Sequence, residues 1–324
     1  MVFATPLDFS VSARILYSIV LWLCLEKIMA LLLALAFLAT SCCSAVNPRV
    51  DIGVRGATLK GPFTPVTTSY TDSALDSSDR RVTVVYPAEN GSFPLVAFAH
   101  GLDNDSSKDY TELFDGLVSF GYVVVAPLAC KEGCKDDTAS LPDDPSGFAH
   151  YYKQQLRAIT WARAQRDAGD PVFSKLNFTG GVAIAGHSMG GQSTLFSSSA
   201  GNASLYGIKA AVMLHAFTHQ FPAPQVPFLT FTGALDIVAP ASMAESIFAA
   251  EGGAGSSTVL NKGIIDKATA GHFEPENNWL PWKTYNPLLP QFTAAWFKLH
   301  VEGKASEFGI NFEDMLYGNS TDSI

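Results

Sequence analysis

A serine stands among three glycines in residues 186–191, which read GHSMGG and directly follow an apolar run at residues 182–185. An apolar run of this length that ends in glycine is typical of a short parallel strand buried on both faces. The residues from Gln192 onward predict a helix. A strand that becomes a helix so quickly needs a very sharp turn, and the flanking glycines of the G-x-S-x-G pattern leave room for it. We therefore expect Ser188 at the apex of a strained turn above the edge of a sheet.

The predicted turn would give the hydroxyl of Ser188 a favourable setting for chemistry. The helix that follows directs backbone N–H groups and the positive end of its dipole toward that position, which suits a nucleophile that develops negative charge. A Gly-Ser-Gly cluster also occurs in ordinary loops, so the motif alone is only a hypothesis. The predicted strand before it and the predicted helix after it both favour a catalytic serine.

Apolar, strand-like segments alternate with segments of helical periodicity along the chain. Strands are predicted at residues 81–86, 94–99, 122–127, 181–185, 210–214, 227–232 and 258–267, and helices at residues 110–119, 151–166, 192–199, 241–250 and 290–301. This alternation predicts a doubly wound, mostly parallel sheet with helices on both faces, within a single α/β domain over residues 46–324. Such sheets carry their functional sites at the carboxyl ends of the strands.

The first 45 residues predict a leader. Two apolar runs, residues 15–25 and 28–39, are separated by a charged pair, and small residues follow the second run. That second run has the length of a secretory signal, with cleavage expected after Ala45. The alternatives are an uncleaved membrane anchor, a two-part organelle leader, or an over-extended start with initiation at Met29. We expect the secretory pathway and the extracellular space, with a plastid or a membrane-anchored location as alternatives.

Two further features agree with the secretory pathway. The chain contains sequons for N-glycosylation at Asn90, Asn104, Asn177, Asn202 and Asn319. Beyond the leader it keeps two cysteines, Cys130 and Cys134, in a polar loop where a local disulfide is feasible. Two free thiols are an equally acceptable interpretation of this pair.

A serine hydroxyl attacks only if a base takes its proton, and a carboxylate must hold that base in one tautomer. In a sheet of this kind the expected chain order is serine, acid and histidine, with the last two in loops after later strands. Asp236 lies just beyond the strand predicted at residues 227–232, and His272 follows the last predicted strand. We therefore predict Ser188 as nucleophile, Asp236 as acid and His272 as base.

Other interpretations of these residues stay open at this point. Asp236 could instead cap the helix that Pro240 begins, which is a common use of aspartate. A single histidine in a loop is commonly solvated or hydrogen-bonded locally. Asp266 and Asp103 are alternative acids, although each is less well placed after a strand.

Acyl transfer also needs N–H donors for the oxyanion. One donor is expected at Met189, the residue after the nucleophile, and the second at Leu102, in the loop after the strand at residues 94–99. The candidates for lining the substrate pocket are His187, His215 and Ile237. Of the other histidines, His100 is expected to brace its loop, His219 to line the cleft, and His150 and His300 to lie at the surface or on a helix face.

The motifs GHSMGGQSTL, ALDIVAP and GHFEPEN resemble those of the α/β-hydrolases in the polyester-hydrolysing cutinase branch. Residues 94–127 are similar to that branch and also to chlorophyllases and platelet-activating-factor acetylhydrolases. The resemblance spans residues 82–301 and implies the α/β-hydrolase fold. It assigns the nucleophile to Ser188, the acid to Asp236, the base to His272 and the oxyanion donors to Leu102 and Met189.

The chain departs from both groups at specific positions. Leu102 stands where the polyester hydrolases have an aromatic residue, and residues 214–215 stand where they have a tryptophan. Met189 stands where plant chlorophyllases have an arginine. Residues 130–147 and 274–287 could shape a different pocket for the acyl or alcohol group.

Taken together, the motifs predict a serine carboxylic-ester hydrolase that acts on a small-molecule or lipid-like ester. A chlorophyllase-type ester hydrolase is the alternative if the leader addresses a plastid, and a non-catalytic binding protein on the same fold is less favoured. The net charge of −9 argues against nucleic acid as a partner. No cofactor is expected, and no metal, since the cysteine and histidine spacing of a zinc site is absent from the sequence. Membrane contact is expected only through an uncleaved leader, and the oligomeric state is left open.

Overall fold

An eight-stranded sheet runs through the computed structural model in the order β1-β2-β4-β3-β5-β6-β7-β8. Its strands are β1 Pro65–Thr71, β2 Arg81–Pro87, β3 Leu95–Ala99, β4 Val123–Pro127, β5 Val182–His187, β6 Ile208–Leu214, β7 Phe228–Gly233 and β8 Lys262–Lys267. The pairs β1–β2 and β2–β4 are antiparallel, and all other neighbouring strands run parallel. The predicted mostly parallel sheet of the α/β-hydrolase fold is therefore confirmed.

The structure describes residues 59–75, 80–102, 104–129, 151–199, 201–250, 261–277 and 285–318. These all belong to one compact unit, Val50–Ile324. Several predicted features lie outside the described residues: the leader, Asp103, Cys130, Cys134, His150 and the sequon at Asn319. Among the helices that are described, none has the length and apolar character required to span a bilayer.

Helices cover both faces of the sheet. They are α1 Thr111–Ser119, α2 Tyr152–Asp167, α3 Met189–Ser197, α4 Asn202–Tyr206, α5 Ala241–Ala249, α6 Leu289–His300 and α7 Phe312–Tyr317. Successive residues of β3 point to opposite faces, as the pleat requires. Leu95 and Ala97 pack into a core with α2, α3 and α5, whereas Val96 and Phe98 pack into a second core with α1 and α6. The sheet is thus buried on both faces, which explains its near-continuous apolar strands.

Helices α4 and α7 were not predicted, and two further local features differ from the sequence-based expectation. Helix α3 begins at Met189, directly after Ser188, and not at Gln192. The sequence does not indicate the first turn of this helix, because the glycines near its start have low intrinsic helix propensity. Strand β1 was not predicted, because it is a half-buried edge strand rich in threonine and lacks a clear apolar face. Of the sequons, Asn104 is buried and its side-chain amide donates to Asp109, so this position is not presented for glycan attachment.

A buried glutamine joins helix α2 to the carboxyl ends of the central strands. Gln155 is fully buried, and its amide lies 2.8–3.2 Å from five partners. These partners are the carbonyl oxygens of Ala97 and Ala185 and the hydroxyls of Ser193, Thr194 and Ser197. Each partner is itself buried, so none can turn to water if the amide is lost. Gln155 therefore holds α2, α3 and the strands that precede the turn at Ser188 in one arrangement.

We expect Gln155→Leu to lower the free energy of unfolding by about 3 kcal/mol, because it leaves several buried polar groups without partners. Equilibrium unfolding in urea measures this change. The matched control is Gln165→Leu, the same substitution at a half-buried position of the same helix, for which we expect a change below about 0.5 kcal/mol. Equal stability of the two variants would contradict the role given to Gln155.

Candidate active site

The turn between β5 and α3 holds Ser188 in a conformation that non-glycine residues rarely adopt. Its φ is 55° and its ψ is −118°, which places it in a strained region of backbone space. The surrounding structure maintains this conformation, because the N–H of Ser188 donates to the carbonyl of Leu214 and its own carbonyl accepts from Phe217, both at 3.0 Å. The predicted apex position of Ser188 is thus a feature of the fold.

The two glycines of the motif are required by close backbone contacts. A Cβ at Gly190 would lie 2.0 Å from the carbonyl oxygen of Ala99, at the end of β3. A Cβ at Gly186 would lie 2.1 Å from the carbonyl oxygen of Gly190. Because the obstructing atoms are backbone, neither position can accept a side chain without moving the helix away from the sheet.

Three side chains from three loops form a continuous hydrogen-bonded line. The Nε2 atom of His272 lies 2.8 Å from the hydroxyl of Ser188, and its Nδ1 atom lies 2.9 Å from Oδ2 of Asp236. These loops follow β5, β7 and β8, whose carboxyl ends share one edge of the sheet. A carboxylate can only accept, so it fixes the proton of His272 on Nδ1 and leaves Nε2 free to accept the serine proton.

The carboxylate of Asp236 is held through both of its oxygens. Oδ1 accepts from the backbone N–H groups of Val238 and Ala239 at 2.9 and 2.7 Å, in the turn that leads to α5. The two interpretations of this residue therefore coexist, since the side chain both organises the turn and faces His272. Burial alone would raise the pKa of Asp236, but hydrogen bonds from His215 and His272 hold the pKa well below its ordinary value.

His215, expected to line the pocket, lies instead beside Asp236. Its side chain is buried, with Nδ1 2.8 Å from Oδ2 of Asp236 and Nε2 3.1 Å from Oε1 of Glu274. Oδ2 of Asp236 therefore contacts two histidines. Glu274 was not among the predicted site residues, although it lies two positions after His272 within the GHFEPEN motif. Its burial could not be read from the sequence, because glutamate is usually exposed.

His187 is also buried and links two loops of the site. Its Nε2 lies 2.8 Å from the carbonyl oxygen of His272, and its Nδ1 lies 2.9 Å from the hydroxyl of Tyr110. A carbonyl only accepts, so Nε2 carries the proton and Nδ1 accepts from Tyr110. The tyrosine oxygen in turn accepts from the N–H of Gly101 at 2.9 Å. Burial, followed by repulsion from His272 and His215, holds the pKa of His187 well below its ordinary value.

The predicted oxyanion donors, Leu102 and Met189, follow the carboxyl ends of β3 and β5. Met189 is the first residue of α3, so its N–H has no acceptor within that helix. Leu102 follows Gly101, which the link through Tyr110 ties to His187 and His272. His100 stabilises the same loop, as its ring contacts the carbonyl of Gly101 and accepts from the N–H of Ala129.

Exposed apolar side chains cluster in the loops that carry the site residues. The loops after β3, β7 and β8 present Leu102, Leu235, Ile237, Val238 and Phe273. The side chain of Ile237 is 71% exposed. We call these five residues the apolar rim. Apolar groups presented together on a surface commonly mark a binding site.

The described residues include one group with spacing compatible with a metal ion: His215, Asp236 and His272, whose ligand atoms all lie within 4.8 Å of one another. In this group the Nδ1 atoms of His215 and His272 lie 2.8 and 2.9 Å from the same oxygen, Oδ2 of Asp236. Hydrogen bonds account for both contacts, so we assign no metal to the cluster. Asp266, the alternative acid, lies within β8.

Two groups of known proteins, chlorophyllases and cutinases, are similar to this chain. A family model described as chlorophyllase matches residues 56–215. Chlorophyllase-1, chloroplastic, from Citrus unshiu is 31% identical over 109 residues, which cover 34% of this chain and 30% of that protein. Cutinase 2 from Thermobifida cellulosilytica and cutinase cut1 from Thermobifida fusca are each 26% identical over 222 residues. Those matches cover 68% of this chain and 73% and 60% of the two cutinases, so the chain spans only part of each relative.

We expect Gly190→Ala to lower the free energy of unfolding by about 3 kcal/mol, because the added methyl would overlap the backbone of Ala99. The control is Gly271→Ala, where a Cβ would meet its nearest atom at an ordinary 3.8 Å. Thermal unfolding monitored by circular dichroism measures both. A Gly190→Ala protein as stable as the control would show that the close approach of α3 to β3 is not required.

Proposed function

We propose that this chain is a carboxylic-ester hydrolase that works through an acyl-enzyme. The chain belongs to the α/β-hydrolase superfamily, in the branch of ester hydrolases that contains chlorophyllases and cutinases. The observation that carries the proposal is the hydrogen-bonded line from the hydroxyl of Ser188 through His272 to Asp236. The strained backbone at Ser188 supports it, since such strain concentrates at functional sites.

In the first half of the reaction, Nε2 of His272 takes the proton of the Ser188 hydroxyl as its oxygen attacks the ester carbonyl carbon. The carbonyl oxygen becomes an oxyanion, which the N–H groups of Leu102 and Met189 stabilise. His272 then gives its proton to the alcohol oxygen as the ester bond breaks. The alcohol leaves, and the acyl group remains on Ser188.

In the second half, a water molecule takes the place of the alcohol. His272 accepts a proton from this water, which attacks the acyl carbon, and the same N–H groups stabilise the second oxyanion. When this intermediate collapses, His272 returns the proton to Ser188 and the acid is released. Asp236 holds the imidazole of His272 in the required tautomer throughout and stabilises the imidazolium that forms in each half.

The apolar rim supports an ester with a hydrophobic acyl or alcohol group, either small or lipid-like. The apolar rim includes Leu102 and lies in the loops that also carry Asp236 and His272. A bound hydrocarbon would therefore lie next to the reacting carbonyl. Burial of that hydrocarbon against the rim would contribute binding energy of about 25 cal/mol for each Å² removed from water.

Removal of a hydrophobic alcohol from chlorophyll is the second candidate reaction. The match to the chlorophyllase family model over residues 56–215 favours it. A plastid location, which the name of the Citrus unshiu relative carries, would accompany this reaction. A secreted protein with a cleaved signal peptide and glycosylated sequons would accompany the cutinase-like reaction. Hydrolysis rates on p-nitrophenyl esters of rising acyl length and on chlorophyll separate the two substrate classes.

We expect a fluorophosphonate probe to label the intact chain and to leave Ser188→Ala unlabelled, because only an activated serine forms the covalent adduct. Labelling is read by gel fluorescence and located by mass spectrometry. Ser198→Ala is the matched control, since the hydroxyl of this buried serine donates to the carbonyl of Leu195, and the variant should label like the parent. An intact chain that stays unlabelled would support the non-catalytic binding protein.

We expect Asp236→Asn to lower kcat on a p-nitrophenyl ester by about 10⁴, because an amide N–H facing His272 favours the wrong tautomer. Asp266→Asn tests the alternative acid, and it should retain kcat within about tenfold of the parent. Steady-state kinetics on both variants measures the difference. The assignment of the acid would fail if the larger loss fell on Asp266→Asn.

A further inference from the structure

Both ring nitrogens of His215 face carboxylates. Nδ1 lies 2.8 Å from Asp236 and Nε2 lies 3.1 Å from Glu274, and the three side chains are 4% exposed or less. A neutral imidazole carries one N–H, so its other nitrogen would turn a lone pair toward a carboxylate oxygen. An imidazolium, in contrast, donates to both carboxylates. The geometry therefore favours the doubly protonated ring.

The charged and titratable groups around His215 agree with this assignment. Asp236 and Glu274 supply two negative charges in direct contact. Lys267, on β8, lies 3.5 Å from the other oxygen of Glu274, and the ring of His272 stands at 6.2 Å, nearly perpendicular to that of His215. Burial lowers the pKa of His215, but the hydrogen bonds and charges of the two carboxylates outweigh it and raise the pKa above its ordinary value.

The backbone of His215 provides an independent observation. Its φ is 47°, so within the described ranges it is one of four non-glycine residues with positive φ, a group that includes Ser188. The N–H of His215 donates to the carbonyl of Phe231, which holds this conformation at the end of β6. Strain of this kind persists only where the surrounding structure maintains it. Here it aims the ring between the two carboxylates.

We propose that His215 is a positioning residue, an imidazolium that keeps Asp236 a carboxylate and lets the site work at lower pH. This inference rests on the proposed function, because the benefit is to the acid of the triad. Without the cation, two buried carboxylates would face each other. The cluster of Asp236, Glu274 and His272 would then bind an additional proton at higher pH. A proton on Asp236 weakens its hold on His272, and a proton on Nε2 of His272 blocks the base.

The protonation state is tested directly by ¹H–¹⁵N NMR of the histidine rings in the full chain. The ring of His215 is identified by its absence from His215→Gln, and near neutral pH both of its nitrogens are expected to carry protons. In Glu274→Gln one carboxylate partner of the ring is gone. The pKa of His215 should therefore be lower than in the parent, so that the ring loses one of its two protons at a lower pH than in the parent. A ring with a single proton near neutral pH in the parent would overturn the proposal. If His215→Gln does not fold, the ring of His215 is assigned in the parent by through-bond correlation to its own backbone, and the parent and Glu274→Gln then decide the question.

The catalytic consequence is tested by the pH dependence of kcat/KM on a p-nitrophenyl ester. In His215→Gln the acid limb should move to higher pH by about one unit, while the rate on the alkaline plateau falls less than tenfold. His300→Gln changes a half-buried histidine at the end of α6 that contacts Tyr317, and it should leave the limb in place. An unmoved limb in His215→Gln would overturn the proposal. If the proposed function is wrong, the fluorophosphonate probe will not label the chain. The NMR result reports only the protonation of His215 and does not depend on that labelling.

Discussion

The close approach of helix α3 to the ends of β3 and β5 is the constraint on which the rest of the structure depends. It is possible only because Gly186 and Gly190 present no side chains to the neighbouring carbonyl oxygens. The same approach leaves Ser188 in a strained conformation and sets the N–H of Met189 beside it. Strain in the backbone is tolerated because buried contacts on both faces of the sheet oppose any relaxation.

The site is a buried cluster of histidines and carboxylates, and its hydrogen bonds determine which atoms carry protons. Asp236 accepts from two backbone N–H groups and contacts two histidines, so its rotamer is fixed and its charge is favoured. Through the hydroxyl of Tyr110, His187 ties the loop of Leu102 to the loop of His272. In a buried setting each of these bonds is stronger than in water, and each missing partner is more costly. The loops of the site are therefore coupled to one another.

Local patterns in the sequence were sufficient for the elements that are long or buried on both faces. The central strands and the helices α1, α2, α5 and α6 were predicted within a few residues of their observed limits, because apolar periodicity reports burial directly. The edge strand β1 and the start of α3 were not predicted. In both, contacts with distant parts of the chain outweigh a weak or contrary local preference.

The sequence by itself determined the fold class and the candidates Ser188, Asp236 and His272, since motif spacing and strand order are properties of a linear chain. Only the tertiary structure decided how the remaining polar residues are used. In the structure, His215 lies beside Asp236 and not in the expected pocket, and Glu274 is buried against His215. The hydroxyl of Tyr110 contacts His187. Such pairings arise where the carboxyl ends of several strands converge, so they depend on distances between residues far apart in sequence that no local pattern encodes.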